Sequence, residues 1–293
     1  MSDAPWPAPA KLNLFLHVTG RRPNGYHELQ TLFQLIDLED RLTIRPRVDG
    51  AIVRSGAAVG VPEASDLTVR AAVLLRSEVA NSELGADIFV EKRIPVGAGL
   101  GGGSSNAATT LVALNELWKL HLPAQRLAAL GLRLGADVPV FVHGLTALAR
   151  GVGEVLEPAS VAAACFAVVF PGVPAPTAEA FQAPELTRNS PVITIPGFLS
   201  SDWPARALPG RNDLEPVVAA RHPEVRAALD WLGTRGRARL TGSGASVFAA
   251  FASRAAAEAA LASLPREWTG FVATGLARSP LAARVAAERS GGR

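Results

Sequence analysis

The chain has 293 residues, 48% hydrophobic and 19% charged, which fits one large or two modest globular domains and excludes a disordered chain. A formal net charge of +3 is too small to argue for nucleic acid as a partner. The single cysteine, Cys165, excludes an intrachain disulfide framework, and the longest apolar run, 161–170, is too short to cross a bilayer. No charged-then-apolar leader opens the chain, so the expectation is a cytoplasmic enzyme with neither a membrane nor a nucleic-acid partner.

In chain order, Leu12, Leu14 and Leu16 alternate with Asn13, Phe15 and His17, the period of a strand, with Lys11 at its start and Asn13 on its polar side. GRRPNG then predicts a loop that delivers Tyr26, the only tyrosine, beside His27. Taken alone, Lys11 reads as a solvated lysine and Tyr26 as an ordinary loop aromatic. Leu42 and Ile44 alternate in another short strand. Residues 65–80 predict a helix with Ser65 or Asp66 as cap and Leu67, Ala71, Leu74 and Leu75 inward, and 86–94 a strand.

The strand leads into a stretch that gives up side chains: Pro95, Val96, Gly97, Ala98, Gly99, Leu100, Gly101, Gly102, Gly103, Ser104 and Ser105. Glycine permits the positive φ values that aim successive amides at one point. Ala107, Leu111, Leu114 and Trp118 follow at helical spacing, so a helix over 104–121 is expected with the serines at its cap. A glycine loop opening on a helix N-terminus collects orphan N–H groups and the positive end of the helix dipole, which together favour phosphate. The Walker pattern is excluded because no lysine follows the glycines. A GxGxxG can be drawn through Gly97, Gly99 and Gly102, but the preceding strand carries Glu91, Lys92 and Arg93, unlike one buried on both faces. VAIK, HRD and DFG are missing, which excludes a protein-kinase loop.

Residues 123–134 predict a helix closed by Gly135. Asp137, before Val138 and Pro139, fits a helix cap and a catalytic carboxylate equally well. Residues 146–150 read as a strand and GVGEVLEPA as a turn with an exit segment. Beyond about 155 the texture changes. CFAVVFPG is an apolar strand with Cys165 as a core thiol, and a turn enters a short helix with Thr177 and Phe181. Residues 189–209 are expected on the surface, and 212–232 as a helix capped by Asn212 or Asp213. ARLTGSGASVFAAF predicts strand, glycine turn and strand, followed by a helix at 253–264 and the strand GFVATG. This order suggests a split βαβ unit, with a frayed helix after Arg278. The five histidines, His17, His27, His121, His143 and His222, lack paired metal-ligand spacing, and no metal ligand is assigned.

Three segments, PAPAKLNLFL with PNGYH, then PVGAGLGGGSSNAA, then LTGSGAS, resemble in this order the three motifs of the GHMP small-molecule kinases, and the likeness runs from about residue 6 to 280. AKLNLFL, NGYHELQTLFQ, GLGGGSSNAA and LGADVPVF are closest to members that act on 4-diphosphocytidyl-2-C-methyl-D-erythritol in the non-mevalonate route to isoprenoid precursors. The resemblance implies an α+β, two-domain GHMP-kinase-like fold, with an ATP-binding domain at 1–155 and a substrate-binding domain of split βαβ type at 156–293. It implies Mg²⁺-ATP as phosphoryl donor and a small-molecule acceptor with a cytidine diphosphate group, phosphorylated on its 2-hydroxyl by a monomer or weak homodimer. Residues 95–105 would wrap the ATP phosphates. Asp137 would act as base or orienter and Lys11 as charge stabiliser. Asn13 would lie beside the acceptor hydroxyls, Tyr26 and Phe181 would sandwich the cytosine, His27 would read its polar edge, and Thr177 would lie alongside. Residues 242–246 would brace the loop. Asp66-Leu67 stands where the family commonly shows Asn-Leu. The alternatives on sequence are a homoserine- or mevalonate-type kinase of the same family, and a nucleotide-binding regulator without turnover.

Overall fold

A computed structural model describes residues 4–56, 62–194 and 210–291. Its strands are β1 (Trp6–Arg21), β2 (His27–Arg47), β3 (Ile52–Gly56), β4 (Gly85–Glu91), β5 (Ala147–Gly151), β6 (Val155–Pro158), β7 (Cys165–Phe170), β8 (Arg239–Leu240), β9 (Val247–Phe251) and β10 (Thr269–Leu276). The helices are α1 (Leu67–Glu78), α2 (Gly102–Leu117), α3 (Ala124–Leu132), α4 (Val138–His143), α5 (Thr177–Gln182), α6 (Glu215–Arg221), α7 (Pro223–Gly233), α8 (Arg254–Leu261) and α9 (Leu281–Gly291). Among the described residues no helix is long and apolar enough to cross a membrane.

The fold is α+β, and β2 is its spine. One edge of β2 pairs with β1 along most of its length, while the other is shared by β5, β10 and β4. The sheet then continues from β10 through β7 and β9 to β8. In the C-terminal half α8 lies between β9 and β10 in the chain, the split βαβ arrangement expected from sequence. One apolar cluster packs α1, α2, α3 and α4 on the β1–β2–β4 face, and a second gathers around α5, α6, α7 and α8. A third, with Leu12, Leu14, Phe15, Phe166 and Phe248, fills the space between them.

Several sequence expectations change. β1 and β2 are single long strands, and β1 buries Phe15 and His17 as well as the leucines because it is covered on both faces. The α2 cap is Gly101 in the left-handed region at φ 74°, and Ser104 and Ser105 lie inside the first turn. Glycine takes that position because a side chain there would meet Phe141 and Lys11. The expected helix at 212–232 is two helices, broken at His222 because Pro223 disfavours a helical residue before it. The cap residue is Leu214 and neither expected side chain takes that position: Asn212 Oδ1 accepts from Leu214 N just before the helix while its Nδ2 donates to Leu240 O and Gly242 O, and Asp213 Oδ2 accepts from Val18 N. Cys165 is half-buried, at the edge of its strand. The C-terminal helix is docked on α2, with Arg289 paired to Glu116 and the Arg284 guanidinium over the Trp6 ring. Within 189–209, Ser190 N donates to Val18 O and Ile193 bonds the Gln30 side chain, while residues 195–209 lie outside those described.

Candidate active site

The glycine loop is built by alternation. Gly97, Gly99 and Gly101 hold φ of 70°, 74° and 74°, each with a normal residue between. A Cβ on Gly97 would lie 2.8 Å from the Pro174 ring, one on Gly99 2.5 Å from Thr241 O, and one on Gly103 3.4 Å from Leu67. The loop thus passes from the approach to α5, across the β8–β9 turn, to the start of α1. Ser246 N donates to Ala98 O at 3.0 Å, and Lys11 N donates to Leu100 O at 3.0 Å, so the third motif and β1 hold the loop from two sides. No side chain caps α2 and no acidic residue stands in its first turn, which leaves the N-terminal amides for a ligand. In the same turns Ser105 Oγ and Asn106 Oδ1 are buried with no hydrogen-bond partner.

Lys11 is 3% exposed, which overturns its reading as a solvated lysine. Its Nζ donates to Asn13 Oδ1 at 2.6 Å and to Gly99 O at 2.9 Å, and lies 3.3 Å from Asp137 Oδ2. An ammonium has three donors, so these acceptors fix its position. Asp137 occupies the cap position of α4 but makes no side-chain cap bond. Its carboxylate is 33% exposed instead, on the cavity side of Lys11. Asn13 is held at both ends, because Nδ2 donates to Thr31 Oγ1 and N donates to Thr241 Oγ1.

These residues share a cavity of about 960 Å³ with Tyr26, His27, Thr177 and Phe181. His27 stacks on Phe181 with ring centroids 5.2 Å apart and planes at 30°. Burial, then the positive charge of Arg188 and Arg21, lower its pKa. Tyr26 stands 64% exposed at the rim. Thr177 and Ser243 share a hydroxyl hydrogen bond of 2.6 Å, which joins α5 to the third motif.

Sequence reasoning missed several residues of this wall and of the support behind it. Asp40 is fully buried, pairs with Lys92, and accepts from Arg93 N and Ile94 N, which sets the entry to the loop. Arg54 Nη1 donates to Asp66 Oδ2 at 2.9 Å while Asp66 Oδ1 caps Thr68 N, so the departure at this position comes with a cation of its own. Arg188 donates to His27. A charged residue inside an apolar pattern is the only local signal, and each partner is distant in sequence. Among the described residues no cluster of three or more His, Cys, Asp or Glu side chains could hold a metal.

Residues 66–145 match the N-terminal domain of the GHMP kinases, and residues 196–270 match the GHMP kinase C-terminal domain. A 4-diphosphocytidyl-2-C-methyl-D-erythritol kinase of Thiobacillus denitrificans is 57% identical over 96% of this chain and 98% of its own. One of the same name from Halorhodospira halophila is 54% identical over 94% of each. A crystal structure of a 4-(cytidine 5'-diphospho)-2C-methyl-D-erythritol kinase superposes with a TM-score of 0.80 at 36% identity, over 92% of this chain and 98% of the other. A homoserine kinase from Cytophaga hutchinsonii shares the fold, with a TM-score of 0.69 at 17% identity. With its glycine loop, its Lys11–Asp137 pair and this degree of likeness along nearly its whole length, the chain belongs to the GHMP kinase family.

Proposed function

We propose that the chain transfers the γ-phosphoryl group of ATP to the 2-hydroxyl of 4-diphosphocytidyl-2-C-methyl-D-erythritol, as the enzyme named for that activity in Thiobacillus denitrificans does by its name. The observation that carries the reading is the Lys11–Asp137 pair, 3.3 Å apart, beside a positive-φ glycine loop at an uncapped helix N-terminus. The loop fits a polyphosphate: alternate glycines leave no Cβ in the way, and the N-terminal amides of α2 have no side-chain cap and are free to donate. Asp137 would accept the proton of the attacking hydroxyl or orient it, and Lys11 would offset charge on the transferring group. Asn13, already bonded to Lys11, would align the acceptor hydroxyls. Tyr26 and Phe181 would enclose the pyrimidine, with His27 at its edge and Thr177 beside it. Magnesium would neutralise the phosphates and take its ligands chiefly from them and from water, with Asp137, Ser104 and Asn106 among the oxygen-bearing side chains that line the cavity.

The division proposed is an ATP-binding domain at 1–155 and a substrate-binding domain at 156–293. The separate apolar clusters on either side support it, with α9 returning to pack on α2. The deciding assay is ADP release with Mg²⁺-ATP and the cytidyl substrate, with homoserine and mevalonate in parallel. Turnover of the cytidyl compound alone is expected. Turnover of a control instead would overturn the substrate, and ATP binding without turnover of any would overturn the activity.

A further inference from the structure

Arg188 lies outside every motif on which the family likeness rests, and outside the Lys11–Asp137 centre, yet its guanidinium is directed at four acceptors. Nη1 donates to Leu186 O at 3.0 Å, and Nη2 donates to Phe181 O at 3.1 Å and Ala183 O at 2.7 Å. Those bonds lock the guanidinium to the end of α5. Nε donates across to the start of β2, to His27 Nε2, at 3.1 Å.

An arginine cannot accept a hydrogen bond and stays protonated in a protein. His27 Nε2 is therefore the acceptor, the ring proton sits on Nδ1, and the ring is neutral while the contact stands. Phe181 fixes the ring plane by stacking on it. Nδ1 has no protein partner among the described residues, and His27 lines the cavity. A half-buried network thus sets the tautomer of a ring that is itself open to ligand.

We propose that Arg188 is a positioning residue for substrate recognition, fixing His27 as the Nδ1–H tautomer against Phe181 so that the cavity meets the acceptor's heterocycle with a fixed donor. The inference rests on the reading that the acceptor carries a cytosine, whose O2 and N3 are acceptors that such a donor can meet. Uracil carries a proton on N3 and an acceptor at O4, so on its edge the acceptor beside O2 is replaced by a donor.

The test uses the full-length enzyme with ¹⁵N-labelled histidine. Long-range ¹H–¹⁵N spectra of the wild type are expected to show His27 neutral with its proton on Nδ1. In Arg188→Met the tautomers should mix, and KM for the cytidyl substrate should rise about tenfold, the worth of one aligned hydrogen bond. KM for ATP and kcat should stay within about twofold, since truncation of a group that only orients the acceptor leaves the other terms alone. Arg188→Lys, which can also only donate, should recover part of the loss. An Nε2-protonated His27 in the wild type would overturn the proposal without any variant. So would an Arg188→Met enzyme with unchanged tautomer and KM, or one in which both KM values rise together. Absence of wild-type turnover on the cytidyl compound would overturn the underlying reading instead, and the wild-type spectrum would still decide the tautomer.

Discussion

Gly99 of the glycine loop is seated against Gly244 of the β8–β9 turn so closely that a Cβ on the first would lie 2.7 Å from the carbonyl oxygen of the second. Thr241 O would be nearer still, at 2.5 Å, and φ of Gly99 is 74°. Gly99→Ala therefore has to move backbone on both sides and hold an unfavourable φ, a strain of roughly 1 to 3 kcal/mol. Lys11 Nζ also donates to Gly99 O, so the shift reaches the Lys11–Asp137 pair. The expected result is a lowered Tm and a loss of ATP affinity by calorimetry. Unchanged ATP binding would show that the loop does not depend on this seat.

What was legible in the sequence was what local periodicity and glycine content carry. Leu12, Leu14 and Leu16 read as a strand, and Ala107, Leu111, Leu114 and Trp118 as the inner face of a helix, because each pattern follows from a repeat of the backbone itself. The glycines marked a loop of positive φ opening on a helix N-terminus for the same reason. The burial of Lys11 was not legible, since its acceptors on Gly99 and Asp137 come from distant parts of the chain. Nor was the role of Arg188, whose link to His27 spans 161 residues. Ser104 and Ser105 misled because cap preference ranks residue types, whereas crowding by Phe141 and Lys11 decided the position for Gly101. The break at His222 was readable from Pro223, but the apolar pattern on either side outweighed it.

Asp137→Asn keeps the shape beside Lys11 and removes the proposed proton acceptor. A general base contributes about 10²- to 10⁴-fold, and kcat is expected to fall by that order with ATP affinity retained. Lys11→Met should lose kcat as well, but also stability, because Asn13 Oδ1 and Gly99 O lose their shared donor at roughly 1 to 3 kcal/mol for each buried group left unsatisfied. Paired kinetics and thermal denaturation distinguish the two. An Asp137→Asn enzyme with near wild-type kcat would remove the carboxylate from the mechanism.

His27 gives the site a pH dependence of known sign. Burial, Arg188 and Arg21 lower its pKa in the folded protein, so as the pH falls the unfolded chain takes up the proton first. The stability associated with this group is complete above the ordinary imidazole value and declines as the pH drops from there through the folded value. Substrate affinity should follow the same window, because a protonated ring cannot accept from Arg188. The ring C–H resonance of His27 is expected to titrate below the ordinary imidazole value, with KM for the cytidyl substrate rising only there. A midpoint at or above the ordinary value would contradict the contact.

Tyr26 offers the sharpest separation of binding from folding. It is 64% exposed, and its bond to the neighbouring loop is made by the backbone, whose N–H donates to Asn24 Oδ1 at 3.2 Å. An aromatic ring in that position contributes little to the core, so Tyr26→Ala should leave stability within about 0.5 kcal/mol. Stacking of a base on an aromatic ring is worth about 1 to 3 kcal/mol, and KM for the cytidyl substrate should rise by roughly five- to 150-fold. KM for ATP should not follow, because phosphates held by the backbone amides of the loop and α2 need no aromatic stack. Tyr26→Phe should restore the wild-type value, since stacking requires the ring and not the hydroxyl. If Tyr26→Ala raised both KM values equally, or raised neither, the base would have to be held by Phe181 and His27 without a second face.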